Sequence, residues 1–490
     1  MSKRDHQREF PERTQGAPET IERPPQSPLN PEVTARFEII RERITRALGE
    51  QNGSGPLKHA INPHLLTARS GGGQVKTYYA IMRALRENGA ADMLDIGSSI
   101  EVDAKDREIL HPIIESAHEE SLAAGHHMMY PSSWGTLELR QSIAGFFEKM
   151  GVVNLDPHRE VMVTAGIMKA IDALMRSLRI TTVIVPTLSP SYLYSLIRLQ
   201  GKQIIPAPLD LNTGVLNLRA VKKNLKRQKV RDGQALFYTT LPSAPAGTLP
   251  DEDFMEHEFI PFAHRHGFPV VSDTYATQTV FGNKKIRPLL SYPGAKDVGV
   301  EAITIAKEHG MPGVRVGGLA GNKDLINIMR LFGSSAYTMM PMHDQHLAAK
   351  VLNEMDTEHV GEKLKYELEN EILPGFQTLN WPVKKPDAGL DLLVPIPPGF
   401  MGVKNPRDRT LCAALALLME YGVGFSPVSE CDTSESGKWL RVVIKQDDKK
   451  IPKALARLAE KGFDWRTYKP DPAFLESILK FQSEIDLTKL

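Results

Sequence analysis

A chain of 490 residues with 24% charged side chains and a formal net charge of +1 exceeds the usual single-domain range and can bury a large core. That balance leaves no basic surplus to drive phosphate-backbone binding, which argues against nucleic acid as the main partner. Two cysteines, Cys412 and Cys431, are too few for a disulfide framework. No apolar run approaches the roughly 18–20 residues of a membrane span, and the polar N-terminus "MSKRDHQREF" is no secretory signal, so the expectation is a cytoplasmic protein.

Residues 1–32 are rich in Pro, Gln, Glu and Arg and read as a disordered arm, because they bury too little to offset ordering entropy. "PEVTARFEIIRERITRALGE" then places Phe37, Ile40, Ile44 and Leu48 at helical spacing. The stretch 33–125 is expected to contribute N-terminal helices and part of a small domain. From about Asp156 short β-branched runs alternate with helical stretches: "EVMVTAG", "MKAIDALMRSL", "TTVIVPT", "YLYSLIRLQG", "KQIIPAPLD". The alternation resumes with "QALFYTT", "FIPFAHRHG", "FPVVSDTYA", "EAITIAK" and "GVRVGGLAG". Continuous apolar strands alternating with helices predict an α/β domain over 126–345 with a mostly parallel sheet covered on both faces. Beyond about residue 345 long helices ("HDQHLAAKVLNEM", "TLCAALALLMEYG", "IPKALARLAEKG") flank the strand-like "GLDLLVPI" and "KWLRVVIKQ", which predicts a smaller α+β domain over 346–490.

Two strand exits attract attention. Asp273 closes "FPVVSD" and Lys307 closes "EAITIAK", and Arg315 follows in "EHGMPGVR" among Gly313, Gly317 and Gly318. In open α/β sheets ligands bind beyond the C-terminal strand edges. A buried lysine is costly unless paired or converted. A carboxylate, an imine-forming lysine and a guanidinium at successive strand ends suit pyridoxal phosphate. The carboxylate pairs with the pyridine nitrogen, the lysine binds the aldehyde carbon and the arginine forks onto the phosphate. A lone Asp at a strand exit is commonly a turn or cap residue, so the weight rests on the three together. No G-x-x-x-x-G-K-[ST] run or dinucleotide fingerprint occurs, and the histidines of "HAINPH" and "GHH" predict no metal site.

From residue 75 to about 450 the chain resembles class I/II aminotransferases, fold type I pyridoxal-phosphate enzymes, as a divergent member. "SDTYATQTVF" is similar to the family's "SDEIYSDLVF", and "TIAKEHGMPGVRVGGLAG" to "SFSKSYGMPGLRIGYLVG". "MMYPSSWGTLELRQSIAGFF" resembles "GYTPSAGIPELREAIAEYL", and "GKWLRVVIK" resembles "GYVRLSFA". The resemblance implies that Lys307 is the Schiff-base lysine and the base that moves the substrate α-proton by way of a quinonoid, with Asp273 on the pyridine nitrogen. It places Arg315 and backbone groups around Gly166 and Ile167 at the cofactor phosphate, and Thr304 among the cofactor-binding residues. Ser189 falls at the ring-stacking position, and Arg441 and Ser98 are assigned to the substrate. Tyr130 and Thr338 would reach the cofactor of the neighbouring subunit in a homodimer.

The same alignment shows departures. The asparagine and the tyrosine that donate to the cofactor's phenolic oxygen fall on Ala244 and Ala276, and the stacking aromatic on Ser189. Tyr275 stands one position early, on the opposite face of a regular strand unless a local irregularity re-aims it. Three readings follow. The chain is an aminotransferase with donors from elsewhere, such as Tyr275 or Tyr192. Alternatively it is a divergent enzyme of the same fold catalysing elimination, replacement or oxidation of an amino acid. Or it is a non-catalytic scaffold.

Overall fold

The computed structural model describes residues 78–79, 81–83, 92–98, 100–336, 340–428, 435–447 and 449–484. The expected N-terminal arm, the helix expected over Phe37–Leu48, and Thr338 lie outside the described residues. Twelve strands follow in chain order: β1 (Leu94–Asp95), β2 (Val161–Thr164), β3 (Thr182–Pro186), β4 (Gln203–Ala207), β5 (Ala235–Leu241) and β6 (Val270–Thr274), then β7 (Gly299–Thr304), β8 (Gly317–Gly321), β9 (Asp391–Pro395), β10 (Val423–Gly424), β11 (Ser426–Pro427) and β12 (Trp439–Val443). Seven of them form one sheet in the order β2-β8-β7-β6-β5-β3-β4. Only β8 runs against the rest, pairing antiparallel with both β2 and β7, so the sheet is mostly parallel, as the apolar runs predict.

The strands are buried on both faces because helices cover both. On one side α3 (Ile167–Ser177) and α4 (Ser191–Leu199) set Ile171, Leu174, Leu193 and Ile197 against Val183, Val185 and Val271. On the other side Phe259, Ile260 and Phe262 pack on Ile184, Phe237 and Val270. Farther along the sheet α1 (Ala104–Ala123) and α2 (Leu137–Lys149) bury Leu110, Leu139, Ile143 and Phe147 against Val161, Val163 and Ile303. Helix α1 starts where the Asp103 side chain accepts the Asp106 backbone N–H, and α2 where Thr136 does the same for Leu139. These are side-chain caps that satisfy otherwise orphaned donors.

A second sheet, β11-β12-β9, is antiparallel throughout. The helix Pro406–Tyr421 lies against it, with ten consecutive buried residues from Thr410 to Met419. Its core, containing Trp381, Phe376, Phe425, Leu440 and Val442, also takes in Tyr275 and Ala276 from the chain just past β6.

Strand order reverses at β3, which has β4 on one side and β5 on the other. That switch, together with the C-terminal edges of β5, β6 and β7, opens the crevice where α/β sheets hold ligands. The approach of β8 to this edge depends on glycine. A Cβ on Gly317 would stand 2.6 Å from the Ile303 carbonyl oxygen and 3.1 Å from Gly166 Cα.

Candidate active site

A cavity of about 510 Å³ opens at that edge. Ten of the twelve residues singled out from the sequence line it: Ser98, Gly166, Ile167, Ser189, Asp273, Tyr275, Thr304, Lys307, Arg315 and Arg441. Of the other two, Thr338 is not described, and Tyr130 stands outside the cavity with 97% of its surface exposed.

Asp273 is the fourth residue of β6 rather than a residue past its end, and it is 3% exposed. Its Oδ2 accepts hydrogen bonds from Tyr238 (2.7 Å) and Tyr192 (3.1 Å), while Oδ1 is buried with no partner. Burial pushes the carboxyl above its ordinary range, and the two tyrosine hydroxyls and Lys307 pull it partly back. Desolvation likewise holds both tyrosines far above the phenol range, so they stay protonated donors. The Tyr192 proton is thus committed to Asp273, not to a phenolic oxygen across the cavity.

Lys307 stands three residues beyond the end of β7 rather than at the strand exit itself. The chain leaves strand geometry after Thr304, whose hydroxyl accepts the Ala306 N–H at 3.1 Å. Burial and then the neighbouring Arg441 charge lower the Lys307 pKa from its ordinary value, with Asp391 and Asp273 opposing. The effect is to favour a neutral, nucleophilic amine.

Opposite lies an anion cradle. Helix α3 begins at Gly166, whose φ of +75° suits glycine, and the first-turn N–H groups of such a helix are open to an anion. Arg315 holds φ +59°, an uncommon conformation for a residue other than glycine. Its Nη1 donates to the Pro312 carbonyl at 3.1 Å. A Cβ on Gly166 would come within 3.4 Å of Arg315 Nη2, so the glycine leaves the guanidinium and the helix terminus facing one space.

On the third wall Arg441, from β12, donates from Nε to Asp391 Oδ1 at 2.8 Å. Burial works against its charge, but the Asp391 carboxylate more than restores it, so the guanidinium pKa rises. Asp391 was not singled out from the sequence. Its signal was an acid opening an apolar strand paired with the arginine's strand. Tyr238 was missed as well, although a fully buried tyrosine needs a partner for its hydroxyl.

The expectation for Ala276 is corrected. Ala244 lines the cavity, but Ala276 does not; it is fully buried in the core around Trp381. Tyr275 takes the place beside the cavity instead, because the chain has left β6 at Thr274 and strand alternation no longer fixes its direction. Its hydroxyl is buried and has no hydrogen-bond partner. The Leu390 backbone N–H faces it outside bonding geometry. Ser189 does not stack on anything; its Oγ donates to the Pro186 carbonyl at 3.0 Å.

The donor set fits pyridoxal phosphate on an observation independent of resemblance. An orphaned, buried carboxylate oxygen calls for a cationic N–H. It shares the cavity with a lysine whose pKa is lowered and with a helix terminus and an arginine that face one space. Fold and site together define a pyridoxal-phosphate enzyme of the α/β aminotransferase type.

Comparison with known proteins agrees. The family model for aminotransferase class I and II matches residues 92–458. LL-diaminopimelate aminotransferase 2 of Trichormus variabilis is 25% identical over 377 residues, covering 76% of this chain and 91% of the relative. Glutamate-pyruvate aminotransferase AlaC of Escherichia coli is 27% identical over 304 residues, covering 60% and 72%. Among solved structures, N-succinyldiaminopimelate aminotransferase from Mycobacterium tuberculosis matches with TM-score 0.68 and 20% identity over 80% of this chain and 99% of that one. A mutant aspartate aminotransferase from Thermus thermophilus gives TM-score 0.67 and 19% identity over 84% and 100%. The chain belongs to the class I and II aminotransferase family and is a pyridoxal-phosphate-dependent enzyme of that class. The elimination and scaffold readings are not favoured.

Proposed function

We propose that the enzyme moves the amino group between an α-amino acid and an α-keto acid, with Lys307 holding the cofactor covalently and acting as the base at the substrate α-carbon. Pyridoxal phosphate, when bound, supplies a protonated pyridine ring that accepts the electron pair released at that carbon. The protein's residues do the rest. Asp273 Oδ1 keeps the ring nitrogen protonated, and Tyr238 and Tyr192 keep the carboxylate aimed. Arg315, Thr304 and the N-terminus of α3, at Gly166 and Ile167, anchor the phosphate. Arg441 grips the substrate α-carboxylate, with its orientation fixed by Asp391, and Ser98 lies beside it. Residues 126–345 act as the cofactor-binding domain, and 346–490 as the smaller domain that carries Arg441.

The observation that supports this reading most is the unpartnered Asp273 Oδ1 sharing one cavity with Lys307. The relatives differ in substrate, so the substrate is defined only by its α-carboxylate and α-amino groups. The working form is a cytoplasmic homodimer in which Tyr130 and Thr338 complete the partner's phosphate site. Among the described residues no helix is long and apolar enough to cross a membrane. The test is a panel of amino acids offered with several keto acids. Appearance of the donor's keto acid and the acceptor's amino acid in equal amounts is expected. Ammonia released without a new amino acid would overturn the transfer.

A further inference from the structure

The residue after Lys307 is Glu308, where the similar family segment quoted above has serine. Glu308 is 2% exposed, and among the described residues no lysine or arginine pairs with its carboxylate. Instead five donors from one short loop converge on it. Oε2 accepts from the Thr277 N–H (2.6 Å) and hydroxyl (2.9 Å). Oε1 accepts from the Gln278 N–H (2.9 Å), the Thr279 N–H (3.0 Å) and the Thr279 hydroxyl (2.8 Å). A carboxylate satisfied in this way is a rigid clamp, since each charge-assisted bond is stronger than a neutral one.

The clamped loop begins two residues after Tyr275. Its far end continues toward the Tyr275 hydroxyl by another route: the Thr279 carbonyl accepts the Gly389 N–H at 2.8 Å. Gly389, at φ +100°, leaves the space that the Tyr275 hydroxyl fills, because a Cβ there would stand 2.6 Å from that oxygen. The loop is also wedged against the helix Glu358–Glu367, where a Cβ on Gly361 would meet the Gln278 carbonyl oxygen at 2.3 Å. On the other side of Glu308, its own backbone carbonyl accepts from Lys445 Nζ at 2.8 Å, and Lys445 pairs with Asp106 at 2.7 Å. Both ends of the clamp therefore border the cavity, Lys307 at one and Tyr275 at the other.

We infer that Glu308 is a positioning residue for Tyr275: by fixing the Thr277–Thr279 loop it holds Tyr275 at the cavity wall, with its unpartnered hydroxyl as the donor to the cofactor's phenolic oxygen, the role that neither Ala244 nor Ala276 can fill. The inference rests on reading the cavity as the pyridoxal-phosphate site. It explains why a tyrosine one position early in the sequence nevertheless lines the cavity.

The experiment is a pH titration of the visible band of the bound cofactor in the holoenzyme. A donor on the phenolic oxygen weakens that oxygen's hold on the neighbouring nitrogen's proton, so losing the donor moves the band's midpoint to higher pH. Y275F should raise the midpoint by about one to two pH units, the size expected for one hydrogen bond to a charged group. E308Q, which can no longer accept from all five donors, should shift it in the same direction by less. In Y275F/E308Q the midpoint should equal that of Y275F, because the two residues act through one hydroxyl. T277V and T279V each remove a single hydroxyl donor and should give smaller shifts of the same sign; they decide the matter if E308Q does not fold. A folded E308Q, T277V or T279V with the wild-type midpoint, or an E308Q shift that persists in full on Y275F, overturns the inference. Failure of the underlying site reading looks different: K307A would then keep the wild-type band.

Discussion

Arg441 and Lys307 show how single side chains are conditioned by their surroundings. The Asp391 bond leaves Arg441 charged despite burial and fixes one edge of the guanidinium, leaving the terminal nitrogens for a planar carboxylate. A lysine at 441 cannot make that fork. R441K is expected to raise the amino acid KM about thirtyfold, the equivalent of about 2 kcal/mol for a charged hydrogen bond, with pyridoxal phosphate affinity unchanged. Equilibrium dialysis and steady-state kinetics on the same preparation check both halves. Lys307 has the opposite conditioning. Its pKa falls below the ordinary 10.5, first through burial and then through Arg441. A lowered lysine pKa enlarges the neutral fraction at any given pH, so the rate at which the apoprotein captures pyridoxal phosphate should reach half-maximum below pH 10.5. A stopped-flow pH profile with its midpoint at or above that value would contradict the placement.

At the scale of elements, β2 to β7 were legible because they are apolar runs rich in β-branched residues, and the sheet buries both faces. The Lys307–Arg315 segment was legible because Gly317 and Gly318 just after it mark close backbone approaches, to the Ile303 and Met162 carbonyl oxygens; Gly313, between Lys307 and Arg315, has open space around it. What the chain's order could not show is the direction of Tyr275. That depends on where β6 ends and on Glu308, 33 positions away in sequence and on a different strand's exit. The partnership of Tyr238 with Asp273 was hidden for a similar reason: it is set by the pairing of β5 with β6, which no local pattern encodes. Strand β7 also carries a testable anomaly in Glu301. This residue is fully buried and accepts from Thr274 and the Leu290 N–H. Burial pushes its carboxyl up to about 7 from 4.5. A raised acid pKa means that the folded state binds the proton more tightly, so stability is lost as pH rises from about 4.5 to about 7 and stays lost above. Relative to E301Q, the wild type should lose up to about 3 kcal/mol across that window, measured by denaturant unfolding at several pH values. Parallel pH profiles for the two proteins would show that Glu301 does not titrate there.

At the scale of the whole molecule, the cavity lies where the large sheet meets the elements around Arg441, and one exposed segment stands apart from it. Met128 is 88% and Tyr130 97% exposed, consecutive with Met129, an unusual surface for a chain with this much core. In the proposed homodimer these residues are covered and Tyr130 serves the partner's site. Mixing inactive K307A with weakened Y130A should then restore activity, because a hybrid dimer contains one site with both residues intact. No gain on mixing, with hybrids demonstrated by mass, would place Tyr130 at its own subunit's site or at none.

The claim on which all of this depends is that Lys307 binds the cofactor. Borohydride reduction of the purified holoenzyme followed by peptide mapping tests it directly. The expected result is a single phosphopyridoxyl adduct on Lys307, in the peptide containing "AITIAKEHG". An adduct on any other lysine, or a coloured holoenzyme that yields no adduct at all, would contradict it.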